Sequence, residues 1–432
     1  MIVYSPHISN RLLYVLEFIA GELTGQPFAI TSDLAEYKTY SGQAINYSAV
    51  AIRENELRIV PHSLLFEKGI RQQEVTVSSY NGYPVFFESE GDFPFDIFAA
   101  SFYLLSRYEE YLPYTPDLYG RYPHTESLAF NNGFLNQPLV NEWLQDFARV
   151  LSARFPDLVM KQPRFRFLPT YDIDEAFAYR HKGWVRNLGG FCRDLFRGNT
   201  SACKQRLQVL TGKQADPYDA FNKMDQLHNQ YGLTPLYFFL LAARTSQVDK
   251  NTDPSGKPMQ QLVQRLAANY PAGIHPSWQS GDEQSLLIKE KERLASFTGK
   301  KVTVSRQHYL RFTLPEGYRR LLQAGICEDH SMGYGMVNGF RASVTSPFYW
   351  YDLEQETSTK LLIFPFCYMD ANSFYELQHT PAQALDEMRH YYREVKKVNG
   401  LLITLWHNTF LGTDPRFAGW KEIYSTFLKE IN

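Results

Sequence analysis

The sequence predicts an α/β protein: an irregular (β/α) barrel of about seven parallel strands over residues 161–432, preceded by a smaller α/β domain over residues 1–160. Three observations predict it. With 432 residues the chain exceeds what one ordinary domain holds. From residue 162 onward, short apolar runs alternate with stretches of helical period, as βα units do. Carboxylates, histidines and an arginine recur just after those apolar runs, and the carboxyl ends of the strands are where α/β barrels carry their active sites.

In the first 160 residues, helical periodicity spans 9–25 (Leu12, Val15, Leu16, Ile19, Leu23) and 96–112 (Phe98, Phe102, Leu105). Between them, 49–60 and 73–87 alternate as strands do. A loop rich in Pro and Tyr over 113–124 leads to a helix over 138–155. No catalytic constellation stands out there, and this part is expected to support or shape the second. A strand over 166–171 opens the second part, followed by helices over 183–197 and 202–210. Next comes a helix over 217–230, with Asp216 as its expected N-cap and Pro217 at its first position. The remaining strands are expected over 234–241, 272–275, 301–305, 361–366 and 401–405. The helices between and after them are expected over 258–269, 283–297, 316–324, 381–398 and 419–431, with Gly400 as the C-cap of the fourth.

Charged residues make up 21% and the formal net charge is −2, so no overall polyanion-binding field is evident and a nucleic-acid role is not expected. Aromatic residues, at 15%, suit both a core and stacking against sugar faces. Four cysteines (Cys192, Cys203, Cys327, Cys367) lack CxxC spacing and read as thiols of a reducing compartment. The start of the chain has no basic stretch leading into an apolar block, and no run of eighteen apolar residues occurs. A cytoplasmic protein without a membrane span is therefore expected.

The strand over 166–171 delivers Asp172 and Asp174, which share one side if the strand persists. Two carboxylates so close raise one pKa or call for a cation, which makes them candidates for metal ligand and general base. The plainer reading is that Asp174 caps the next helix. His275 follows the 272–275 run, and Arg306, His308 and Tyr309 follow 301–305. Asp370 comes after 361–366 and His407 after 401–405. Each is ordinary alone. Together, Asp and His ligands suit Zn²⁺ or a similar divalent ion, a spare carboxylate can take a proton from water, and a further His can protonate a leaving group. His330 could line the site from a loop. His7, His62, His124, His181, His228, His379 and His390 read as structural.

These residues resemble the polysaccharide deacetylase family, the NodB-homology carbohydrate esterases, over about 162–432. Thr170-Tyr171-Asp172-Ile173-Asp174 is similar to its first motif in a DxD form, where more typical members have adjacent aspartates. The resemblance implies Asp172 as general base and Asp174 as metal ligand. His275 resembles the first His of the second motif. Arg306-Gln307-His308-Tyr309 resembles the third, whose Arg orients the base and whose aromatic position, Tyr309, offers a backbone N–H to the oxyanion. Leu405-Trp406-His407 resembles the last, with His407 as general acid. Residues 329–352 look like the family's loop-rich fourth region. One departure is plain: Gln279 stands where the second motif has another His. His308 could replace that ligand, water or Gln279 could complete the sphere, or metal binding has been lost. The first 160 residues resemble an uncharacterised domain found before this deacetylase in some bacterial proteins. The implied function is metal-dependent removal of N-acetyl groups from a carbohydrate, with Zn²⁺ the expected ion. The alternatives are a degenerate carbohydrate-binding or scaffolding homologue, and a glycoside hydrolase pairing Asp172 with Asp370 or Asp329.

Overall fold

Residues 1–432 are described by a computed structural model. Near the amino terminus, β1 (Ile2–Tyr4), β2 (Ala29–Thr31), β3 (Ala44–Tyr47) and β4 (Leu57–Ile59) form a parallel sheet in the order β2-β1-β3-β4. The strand expected over 49–60 contracts to β4. The sheet's other members escaped the sequence because β1 and β3 are buried throughout and leave no apolar–polar alternation. The strand expected over 73–87 is instead a hairpin, β5 (Ser78–Tyr80) and β6 (Tyr83–Val85). Its turn residues Asn81 and Gly82 both have positive φ (50° and 85°), as a two-residue hairpin turn requires. The helix Asn10–Leu23 starts where the Ser9 hydroxyl accepts from the Leu12 N–H. The helix expected over 96–112 stops at Leu105, because Arg107 adopts a left-handed backbone (φ 53°) and its buried guanidinium donates to Glu109 and Glu110.

The second sheet comprises β7 (Arg166–Ile173), β8 (Leu236–Phe239), β9 (Ala272–Ile274), β10 (Val304–Ser305), β11 (Glu328–Asp329), β12 (Phe348–Asp352), β13 (Thr357–Ile363), β14 (Tyr368–Met369) and β15 (Leu401–His407). Its order is β12-β13-β11-β10-β9-β8-β7-β15-β14, parallel throughout except for β12. Hydrogen bonding does not close this sheet into a ring, so the expected barrel is not confirmed by its pairing. The ends of its parallel run, β13 and β14, are joined by residues 364–367, where Pro365 has no N–H to give a ladder and the Phe366 N–H donates to the Met332 carbonyl.

Two cap assignments change. The helix expected over 217–230 begins at Phe221, and Asp216 does not cap it. The Asp216 carboxylate instead accepts from the N–H groups of Ala178, Tyr179 and Arg180, tying down the loop after β7. Helix Pro381–Lys397 turns off through Asn399 (φ 50°) rather than Gly400.

One hydrophobic core of 90 buried residues runs from Val3 to Leu428 and serves both sheets. Across it, Tyr351 of β12 packs on Tyr14 and Phe102, and the Tyr14 hydroxyl donates to the Tyr349 carbonyl at 2.7 Å. Glu110 accepts from Arg107 Nε (2.7 Å) and from Arg341 Nε and Nη2 (2.9 and 2.6 Å), all fully buried. These contacts fix the first 156 residues against the loop that follows β11.

Candidate active site

The parallel strands β7, β9, β10, β14 and β15 end on one side, and their carboxyl ends carry the titratable side chains. Asp172 is the penultimate residue of β7, and Asp174 follows the strand. His275 follows β9, Arg306–Tyr309 follow β10, Asp370 follows β14, and His407 closes β15. All seven residues singled out from the sequence as base, base-orienting arginine, acid, ligand or oxyanion donor are brought together. Asp172, Asp174, His275, His308, Tyr309 and His407 line one cleft of about 580 Å³, and Arg306 stands behind Asp172.

Asp174, His275 and His308 offer ligand atoms within 4.8 Å of one another, a group able to hold a metal ion. His275 Nε2 is 3.2 Å from Asp174 Oδ1, and His308 Nε2 is 3.4 Å from Asp174 Oδ2. The far side of each ring decides what these atoms present. His275 Nδ1 lies 2.6 Å from the Arg306 carbonyl and His308 Nδ1 lies 2.9 Å from Asp249 Oδ1. Both partners only accept, so both Nδ1 atoms donate, and each neutral imidazole turns an Nε2 lone pair toward the carboxylate. Asp174 Oδ1 is buried and receives no hydrogen bond. Lone pairs facing a carboxylate repel unless a positive charge sits at their focus, so the donor set fits a divalent cation. The carboxylates call for positive charge at that focus, either a metal ion or a proton on Nε2. Burial would lower His308, but Asp174 and Asp249 outweigh it and raise the ring to about 9. Burial would raise Asp174, yet His308, His275 and His407 hold it well below the usual carboxylate range.

Asp172 is buried against Arg306, whose Nη1 donates to Asp172 Oδ1 at 2.9 Å and to Thr170 Oγ1 at 2.8 Å, while its Nε donates to the His330 carbonyl at 2.9 Å. Opposite, His407 Nδ1 lies 2.7 Å from Asp370 Oδ1, and its Nε2 faces the cleft 3.7 Å from Asp174 Oδ2. Burial opposes the charged ring, but Asp370, Asp174 and Asp172 raise His407 to about 10. Tyr309 sits in a left-handed turn (φ 59°, ψ 9°). Its carbonyl accepts from Arg121 Nη1 at 2.8 Å, so the first part of the chain holds the turn in place. Tyr119 and Arg121 both line the cleft, which is how residues 1–160 shape it.

Sequence reasoning missed Asp249, the partner of His308. It lies in the loop after β8, ten residues beyond the strand, and nothing in Val248-Asp249-Lys250 signals a role. Asp370, which the sequence places after a strand and offers as a glycosidase carboxylate, is paired with His407. Gln279 is exposed on a short turn, away from the ligand group. His330 is buried with both ring nitrogens unpartnered, stacked on Phe364 rather than facing the cleft. His228 is buried against Tyr171, a structural role.

A family model described as a family of unknown function (DUF7033) matches residues 1–156. No curated protein matches the chain. Among solved structures, a Mycobacterium smegmatis protein assigned to the polysaccharide deacetylases is similar at 12% identity and a TM-score of 0.40, over 63% of this chain and 85% of that one. The polysaccharide deacetylase Bc1974 from Bacillus cereus is similar at 12% identity and a TM-score of 0.32, over 62% and 89%. BA3943 from Bacillus anthracis, named a CE4 family pseudoenzyme, is similar at 12% identity and a TM-score of 0.33, over 63% of both chains. None of these likenesses is close enough to assign a function, and the chemistry is read from the side chains.

Proposed function

We propose that this protein is a metal-dependent hydrolase that removes N-acetyl or similar acyl groups from a carbohydrate. The reading places the chemistry in a barrel-like domain over 161–432 and gives the domain over 1–160 the task of walling the cleft. One observation carries it: a ligand group of Asp174, His275 and His308 lies between a carboxylate held by arginine and a histidine held by a carboxylate.

Asp174, His275 and His308 would hold a divalent cation, Zn²⁺ in the simplest reading, and the chemistry it supplies when bound is Lewis acidity toward the acyl carbonyl and acidification of water. Asp172 takes the proton of the attacking water, and the Arg306 guanidinium, bonded to Asp172 Oδ1, aims it. The backbone N–H of Tyr309 offers a hydrogen bond to the developing oxyanion. His407, with Nδ1 fixed by Asp370, carries on Nε2 the proton that the amine nitrogen needs as the C–N bond breaks. Tyr119, Trp278, Tyr309 and Tyr375 supply aromatic faces for sugar rings at or beside the cleft. The four cysteines are free thiols, in keeping with the cytoplasmic setting we propose.

A glycosidase is disfavoured by the carboxylates themselves. Asp329 is sealed against Ser305 and Ser331, and Asp370 is buried against His407, so neither is free to flank a groove with Asp172. The test is acetate release from N-acetylated oligosaccharides by protein loaded with one equivalent of Zn²⁺. Release is expected, with Asp172→Asn lowering the rate by roughly 10²–10⁴-fold while the thermal midpoint is kept. A loaded protein that binds these sugars without releasing acetate would leave the carbohydrate-binding reading instead.

A further inference from the structure

The loop after β7 leads into two helices, Gly183–Phe196 and Thr200–Leu210, that pack in reverse of the usual sense. The first buries only Asn187 and Asp194, both polar. Both are held by the buried Arg206 of the second helix, at 3.2 and 2.6 Å. Gly190 is required for this, since a Cβ there would stand 2.7 Å from the guanidinium. The apolar residues consequently face outward. Trp184 is 77% and Phe196 92% exposed, and Val185, Leu188, Leu195, Leu207 and Leu210 are exposed with them. Seven of the sixteen large apolar side chains exposed anywhere on the protein thus lie on these two helices. A solvated helix pair arranged this way wants a partner.

Charge says which. Residues 180–213 carry eight Lys and Arg against one acid, Asp194, in a chain whose net charge is −2. Arg186, Arg193, Arg197 and Lys204 are exposed on the side of the pair away from Trp184 and Leu188, where they line a separate groove with Glu175 and Asp194, and Lys213 is exposed just after the second helix. Two such helix pairs, each net cationic, would repel, which argues against a second copy of this chain. An apolar, aromatic face backed by a cationic polar one is the amphipathic pattern that suits an anionic lipid bilayer, with apolar residues entering the acyl boundary and the cations attracted to the headgroups. No helix of the protein is long and apolar enough to cross a membrane, so the contact would be peripheral.

We propose that the helix pair 183–210 docks the protein on an anionic membrane surface. The pair sits at the rim of the cleft: Lys182 pairs with Glu175, and Arg186 donates to the carbonyl of Lys250, and both Glu175 and Lys250 line the cleft. Resting on the hydrolase reading, the substrate is then a glycan carried on the membrane by a lipid anchor rather than a free polymer.

Sedimentation of the full-length protein with vesicles tests the docking without reference to activity. Binding is expected to vesicles of mixed phosphatidylcholine and phosphatidylglycerol, and not to phosphatidylcholine alone. It should weaken roughly fivefold for each cation removed, as in Arg197→Glu or Lys204→Glu, and fall at high salt. Trp184→Ser with Phe196→Ser should abolish it with the circular dichroism and thermal midpoint unchanged. Failure of the native protein to bind anionic vesicles, or binding indifferent to these substitutions, overturns the proposal. A concentration-dependent dimer lost in the Trp184/Phe196 variant, without vesicle binding, would also overturn it and assign the face to a second copy. Vesicle binding by a protein that releases no acetate would keep the docking and remove only the hydrolase reading.

Discussion

Asp249 Oδ1 lies 2.9 Å from His308 Nδ1, and the same oxygen accepts the Trp278 N–H at 3.0 Å. The contact fixes the His308 ring from behind and leaves its other nitrogen facing Asp174, an arrangement found around metal-ligating histidines. Burial opposes the charge on Asp249, but His308 and the surrounding donors hold its pKa down.

Replacing that carboxylate should therefore loosen metal rather than unfold the protein. For Asp249→Ala, Zn²⁺ affinity measured by competition with a chromophoric chelator should fall by roughly 10–100-fold. An unchanged affinity would remove His308 from the ligand set.

Glu110 is the only acid contacting Arg341 in the buried cluster that ties the first part of the chain to the loop after β11. Burial would raise its pKa, but Arg341 and Arg107 outweigh this and lower it. Glu110→Gln keeps the shape and leaves two guanidinium groups undercompensated. Unfolding in urea should show a loss of about 3–5 kcal/mol. A loss below about 1 kcal/mol would mean that the cluster is solvated.

His228 gives a pH signature. Its Nε2 is 2.8 Å from the Tyr171 hydroxyl, its Nδ1 has no partner, and burial lowers its pKa to about 4. The unfolded chain takes up the proton near 6.5, while the folded chain refuses it until about 4. The stability linked to this group is thus complete above 6.5 and is lost as the pH falls toward 4, by at most roughly 3 kcal/mol. His228→Gln should flatten the fall in urea midpoint between pH 7 and 4.5 relative to the native protein. Parallel curves would sink the assignment.

Legibility in the sequence followed the length and partnering of each element. β7 and β15 are long apolar runs side by side over seven residue pairs, and both were read. β11 and β14 have two residues each and carry no periodicity to detect. Asp216 sits where an N-cap would, before a proline, but its partners are N–H groups some forty residues earlier, which spacing does not reveal. The ligand group was legible because its members follow strands directly, whereas Asp249 hangs on a loop whose path is set by packing. Gln279 stands where the resembled motif has a second His, and His308, just after the neighbouring strand, completes with Asp174 and His275 a group able to hold a metal ion.

The 2.8 Å bond from Arg121 to the Tyr309 carbonyl has a consequence for how this protein can diverge. Arg121 is itself gripped by Asp117 at 2.7 Å and stacks on Tyr119. Residues 117–121 therefore set the shape of the cleft mouth through their hold on Tyr309. Changes there can retune what fits the cleft while Asp172, Asp174, His275, His308 and His407 stay as they are, and a fragment cut at residue 161 would lose that adjustable rim.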